Sequence, residues 1–227
     1  MTHTNHRRGD RESLSRDYVV LAMVSREVPE QANYKGPLEE RVRRLIEVCA
    51  RHRPVAIAST DRKTGRMLRY MRGWEGRMDS GIHRSATTDE VMRDPRAFRH
   101  AVFTEKGAVL NVIRDLKEED LGLSIVVSGL FDEVFDTCKE AGTGPHTVNL
   151  SLGTWGKTER LPLEPVLSLV TMCGHAMISR HLVEHLINRV KAGKMTPEEA
   201  AVEMGKQCTC NIFNPTRAAN IIRESLT

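Results

Sequence analysis

Aromatic side chains are scarce: Trp, Tyr and Phe together supply 4% of the 227 residues. Any core must therefore rest on aliphatic side chains, with Met and Cys as fillers. Enough of these are present, at 40% hydrophobic residues against 28% charged, to exclude disorder along the whole chain. No apolar run approaches the roughly 18 residues of a membrane-spanning helix, so no membrane partner is expected. The first 17 residues contain no apolar stretch of the kind a secretory signal needs, and none is expected. Cysteine is also sparse. Five residues, an odd number, do not suit a disulfide-stapled secreted domain. These absences together lead us to expect a soluble, cytoplasmic, mixed globular protein.

The net charge is only +4, but it is unevenly spread. Residues 51–100 carry 12 Lys/Arg against 6 Asp/Glu, and residues 101–150 carry 4 against 9. The basic block includes Arg62, Lys63, Arg66, Arg69, Arg72, Arg77 and Arg84, with Tyr70 and Trp74 among them. Arginine interleaved with aromatics can grip phosphates and stack on planar ligands. The same pattern also suits a solvated face that packs on the acidic block. Nucleic-acid binding through 62–84 is therefore one reading, and the weaker one.

Periodicity places the elements. Residues 1–16 are polar and are expected to form a mobile tail. Tyr18–Val24 and Val55–Ser59 are short apolar runs that suit buried strands, and Pro37–His52 between them has helical spacing. Strand–helix–strand implies a parallel pair with a crossover. A basic, Gly-containing excursion at 60–85 follows. Thr87 and Glu90 form a capping box at a helix start, and Pro95 should end that helix. A helix over 105–118, a strand at Leu123–Val127, a helix from Gly129 to about Ala141 and a last strand at His146–Leu152 complete this part. From 161 the chain looks helical, with starts at Thr196–Pro197 and Asn214–Pro215. The expectation is an α/β fold: a small, mostly parallel sheet with crossover helices over 17–160, then a C-terminal helical subdomain at 161–227.

The chemistry concentrates in that subdomain. Met172–Cys173–Gly174–His175 and Cys208–Thr209–Cys210 offer three thiols and one imidazole, with 34 residues between Cys173 and Cys208. Soft ligands from two short motifs have the composition of a zinc or iron–sulfur site. In one continuous helix Cys173 and His175 would point about 200° apart, so a shared site requires the chain to leave helical geometry near Gly174. Glycine permits that turn. The second motif precedes the helix start at Asn214–Pro215, whose partial positive charge favours thiolate. Cys-x-Cys chelates one ion less readily than Cys-x-x-Cys, and it also suits a cluster or a strained redox disulfide. Cys49 and Cys138 fall on apolar helix positions and fit as core residues. His181 and His185, four apart, are a competing ligand pair, although no HExxH motif is present.

After the last strand comes Gly153–Thr154–Trp155–Gly156–Lys157. It lacks the spacing of a phosphate-binding loop, and Pro162 follows too soon for a helix. Loops at strand ends often touch ligands, so Trp155 and Lys157 are candidates to bind a cofactor or substrate.

These observations support a metal- or iron–sulfur-binding protein that acts on a small anionic substrate. Cys173, His175, Cys208 and Cys210 are the metal ligands, and Cys173 and His175 are also the catalytic candidates. A metal-free thiol enzyme is the alternative, using Cys173–His175 or a Cys208/Cys210 redox pair.

Overall fold

Tyr18–Met23 (β1), with the β-branched and aliphatic residues of a buried strand, sits near the middle of a six-stranded sheet. The computed structural model describes residues 3–23, 36–60, 63–74, 83–93 and 100–226. The remaining strands are Ala56–Thr60 (β2), Met67–Met71 (β3), His83–Ser85 (β4), His100–Phe103 (β5) and Ser124–Ser128 (β6). Their order is β4-β3-β2-β5-β1-β6. The helices are Arg11–Leu14 (α1), Leu38–Arg51 (α2), Thr88–Arg93 (α3), Lys106–Glu119 (α4), Phe131–Glu140 (α5), Val166–Thr171 (α6), Arg180–Lys191 (α7), Pro197–Gly205 (α8) and Pro215–Glu224 (α9).

The α/β class and the C-terminal helices are as expected. The strand directions are not. β1 is antiparallel to β5 and to β6, β2 is antiparallel to β3 and to β5, and only β3 and β4 run parallel. The expected crossover β1–α2–β2 does exist, because both strands oppose β5 and so share a direction. β5 is inserted between them. The same holds for β5–α4–β6 around β1. Two interleaved split βαβ units result, the ferredoxin-like arrangement. Strand–helix–strand patterning fixes relative direction but not adjacency, so the insertion is invisible in it.

Alternation along each strand divides the sheet into two faces. One face carries Tyr18, Val20, Ile57, Leu68, Ala101 and Phe103, packed with Leu45 and Ile46 of α2 and Val109 and Val112 of α4. Cys49 lies in this cluster, with Cys138 packed against it. Burial pushes the Cys49 thiol up to about 12. The other face carries Val19, Ala56 and Val102 beneath α6 to α9. Both crossover helices lie on the first face, so the C-terminal helices are what buries the second.

The basic excursion is part of the sheet: it contributes β3 and β4. Arg69 and Trp74 are buried, which removes both from any phosphate-gripping surface. Arg62, Arg77 and Pro95 lie outside the described residues. The strand expected at His146–Leu152 does not form. Residues 143–165 run exposed and almost without regular structure, apart from a single 3-10 turn at Thr158–Arg160. The N-terminal segment, by contrast, is tied to α9. Arg217 donates to Asp17 (2.7 Å) and Ser13 (2.9 Å), and Arg7 bonds to both Asp17 and the carbonyl of Ile212. Among the described residues no helix is long and apolar enough to cross a membrane.

Candidate functional site

α6 ends at Thr171, and the chain then leaves helical geometry as the Cys-Gly-His spacing requires. Gly174 adopts φ +72°, in the left-handed region. Ala176 follows at φ +54°, a costly position for alanine that often marks a functional site. Cys173 is fully buried at the end of the helix, while His175 emerges into solvent. Helix α7 begins only at Arg180.

The second motif occupies the turn between α8 and α9. Cys208 is buried and Cys210 half-buried. The amide of Asn211 donates to the Cys208 carbonyl (3.0 Å), closing the turn, and Asn211 takes φ +57°, which asparagine tolerates. Asn211 then stitches the turn to the sheet. Its Nδ2 donates to the carbonyls of Ile57 and Tyr70, both at 2.9 Å.

Arg69 of β3 holds the same turn from below. Its guanidinium donates to the carbonyls of Gly205 (2.7 Å), Lys206 (3.1 Å) and Cys208 (2.7 Å) and to Oδ1 of Asn211. Gly205 and Lys206 end α8, so the cation also meets the negative end of that helix dipole. Gly205 itself packs closely on the end of the Met71 side chain, which a Cβ there would approach to 2.6 Å. Trp74 covers the guanidinium, 5.3 Å from its ring centre. Burial pulls the Arg69 pKa down, and the adjacent thiols pull it back up. An arginine stays charged regardless. His100 of β5 completes the support, its Nε2 donating to the carbonyl of Cys210 (2.7 Å).

These supports bring the four predicted ligands into one chain of contacts. Cys173 shares a hydrogen bond with Cys208. Sγ of Cys208 lies 3.8 Å from Sγ of Cys210, which lies 3.5 Å from Nδ1 of His175. The bond with Cys208, and then burial, push the Cys173 thiol far up. The bond from Cys173 lowers Cys208, but the bond with Cys210 and burial outweigh it and leave that thiol at about 11. The bond from Cys208 pulls Cys210 down. Among the described residues, no group of three or more His, Cys, Asp or Glu side chains is arranged to hold a metal ion as it stands.

The other candidates lie elsewhere. His181 and His185 are exposed on α7, and His181 is 3.5 Å from Glu184. Trp155 and Lys157 lie on the exposed 143–165 segment, where Trp155 Nε1 donates to the carbonyl of Leu152 (3.1 Å). Arg69, His100 and Asn211 were not singled out by the sequence as site residues. The one signal for Arg69 is its place in Met67-Leu68-Arg69-Tyr70-Met71, where alternation sets it beside Met71 on an inward face.

The sequence matches no protein-family model, no curated protein and no solved structure. The site must be judged on its own geometry.

Proposed function

We propose that this chain is a metal-binding protein whose centre is held by Cys173, His175, Cys208 and Cys210. The observation that carries the reading is the pair of separations, 3.8 Å between the Cys208 and Cys210 sulfurs and 3.5 Å from Cys210 to His175. A tetrahedral ion with metal–sulfur bonds of about 2.3 Å and metal–nitrogen bonds of about 2.0–2.1 Å has edges of about 3.8 and about 3.5 Å. Cys173, already bonded to Cys208, is the fourth corner. The buried Arg69 cation lies close enough to couple to all three sulfurs, and Cys210 is the thiol whose surroundings pull it toward the ligating, deprotonated form. The donor set suits zinc, and equally the iron of a cluster. Cys173, Cys208 and Cys210 would hold the ion as thiolates from the interior, and exposed His175 would hold it from the solvent side. A small anionic substrate would approach from that side, and it would reach the ion only by displacing His175.

Protein purified without oxygen should carry close to one equivalent of zinc, or iron with a visible absorption spectrum. Cys208→Ser should lose it. Metal content below about 0.2 equivalents, with folding unaltered by chelator, sinks the reading. A second reading rests on the Cys173–Cys208–Cys210 hydrogen-bond chain: a metal-free dithiol that cycles through a disulfide. Metal-free protein in which mass spectrometry finds a reversible disulfide among these residues would favour it.

A further inference from the structure

We propose that residues 143–165 form an arm exchanged between two copies of this chain. Six apolar side chains on it face solvent: Leu163 is 85% exposed, Leu152 83%, Trp155 82%, Leu150 59%, Val148 47% and Leu161 37%. For residues of these sizes, the fractions amount to roughly 800 Å² of total surface, main chain included. Roughly 800 Å² is one partner's share of a stable interface. Two arms exchanged together reach the standard total of roughly 1,600 Å² before the receiving surfaces are counted.

The arm also has the pattern of a strand with no ladder to join. Val148, Leu150 and Leu152 alternate with Thr147, Asn149 and Ser151, a period of two. Within the chain the arm instead bonds to the N-terminal segment, Arg8 donating to Thr154 (2.8 Å) and Asn5 to the carbonyl of Asn149 (3.4 Å).

The same chain carries a surface that fits this arm. β6 is the last strand of the sheet, and among the described strands it pairs with β1 alone. Ile125, Val126 and Val127 on it are only half-buried. The helix that follows presents Phe131, 50% exposed and stacked on Phe135 at 4.1 Å. An unpaired edge invites a strand from another chain. Donor and acceptor lie on one sequence, so two copies satisfy each other through a two-fold interface, and a second copy is the occupant the geometry points to.

Light scattering and sedimentation of the full chain, from about 1 to about 100 µM, test this. The expected mass is twice the 25.6 kDa of the chain. Leu152→Asp combined with Leu163→Asp should return the single-chain mass with an unchanged far-ultraviolet circular dichroism spectrum. Trp155→Glu, a milder change at one exposed position, should shift the same equilibrium. Acrylamide quenching should find Trp155 protected in the wild type and open in the double variant, with buried Trp74 silent in both. A wild-type mass of one chain at every concentration overturns the proposal. So does a dimer that survives the arm substitutions.

Discussion

Two irregular segments of this protein differ in how they are held. Residues 206–214 have little regular structure, yet Cys208, Asn211, Phe213 and Asn214 are fully buried. Residues 143–165 are also irregular, and nearly every side chain is in solvent. The first segment is tied down by buried polar groups. Arg69 reaches it from β3, Asn211 reaches back into the sheet, and Asn214 caps α9 through the Arg217 amide while bonding to Asp17. The second has a few exposed hydrogen bonds, from Asn5 to Asn149 and from Arg8 to Thr154, and apolar surface along its length. Irregular backbone inside a protein requires a partner for every polar group. Where those partners are side chains on rigid strands, a segment can hold thiols at fixed separations. Where they are missing, order has to come from another surface.

The largest test of this contrast is Arg69→Met. The change removes the donor to three carbonyls and one side-chain amide oxygen and leaves those acceptors in a dry interior. Stranding several buried acceptors should cost about 3–5 kcal/mol of unfolding free energy, measured by denaturant titration. If the proposed metal centre is present, its metal should be lost with the stability. Arg69→Lys should recover little of either, since an ammonium cannot span the fork. A cost below about 1 kcal/mol would show that the turn holds its own shape.

Much of the helical architecture was legible because its signals are local. The capping box Thr87/Glu90 forms as its spacing implies, Thr196 caps α8 ahead of Pro197, and Asn214 caps α9. The thiol site was legible for a compositional reason: three of only five cysteines and one histidine fall in two short motifs. Its supports were not. Arg69 sits among arginines that look like solvated surface, and nothing local marks it as the one that crosses into the core. His100 comes from β5, four residues long, inserted by long-range pairing between strands that the sequence places as neighbours. Alternation at 146–152 was real, but a strand needs a ladder, and among the described residues this segment pairs with none.

A finer cut separates hydrogen bonding from backbone conformation at Asn211. Asparagine and aspartate tolerate the left-handed region about equally. Asn211→Asp therefore keeps φ +57° accessible and keeps an acceptor toward Arg69, but it replaces both donors to Ile57 and Tyr70. The expected loss is about 2–3 kcal/mol by denaturant titration. Asn211→Gly frees the backbone and removes the same bonds, so it should cost about as much. If glycine is tolerated and aspartate is not, the contribution lies in charge rather than in the stitch to the sheet.

The smallest expected effect is the one that defines the other segment. Leu150→Ser with Leu152→Ser removes apolar groups that the single chain leaves 59% and 83% exposed. Little burial is lost, so unfolding of the protomer, measured at concentrations where it is monomeric, should shift by no more than about 0.5 kcal/mol. The same variant should weaken association, because exposed apolar area on the arm is what a second copy would cover. Stability unchanged and association impaired is the signature of a segment whose apolar groups serve another surface. A protomer loss of about 2 kcal/mol or more would instead mean that those leucines already pack within the chain, and the contrast between the two segments would collapse.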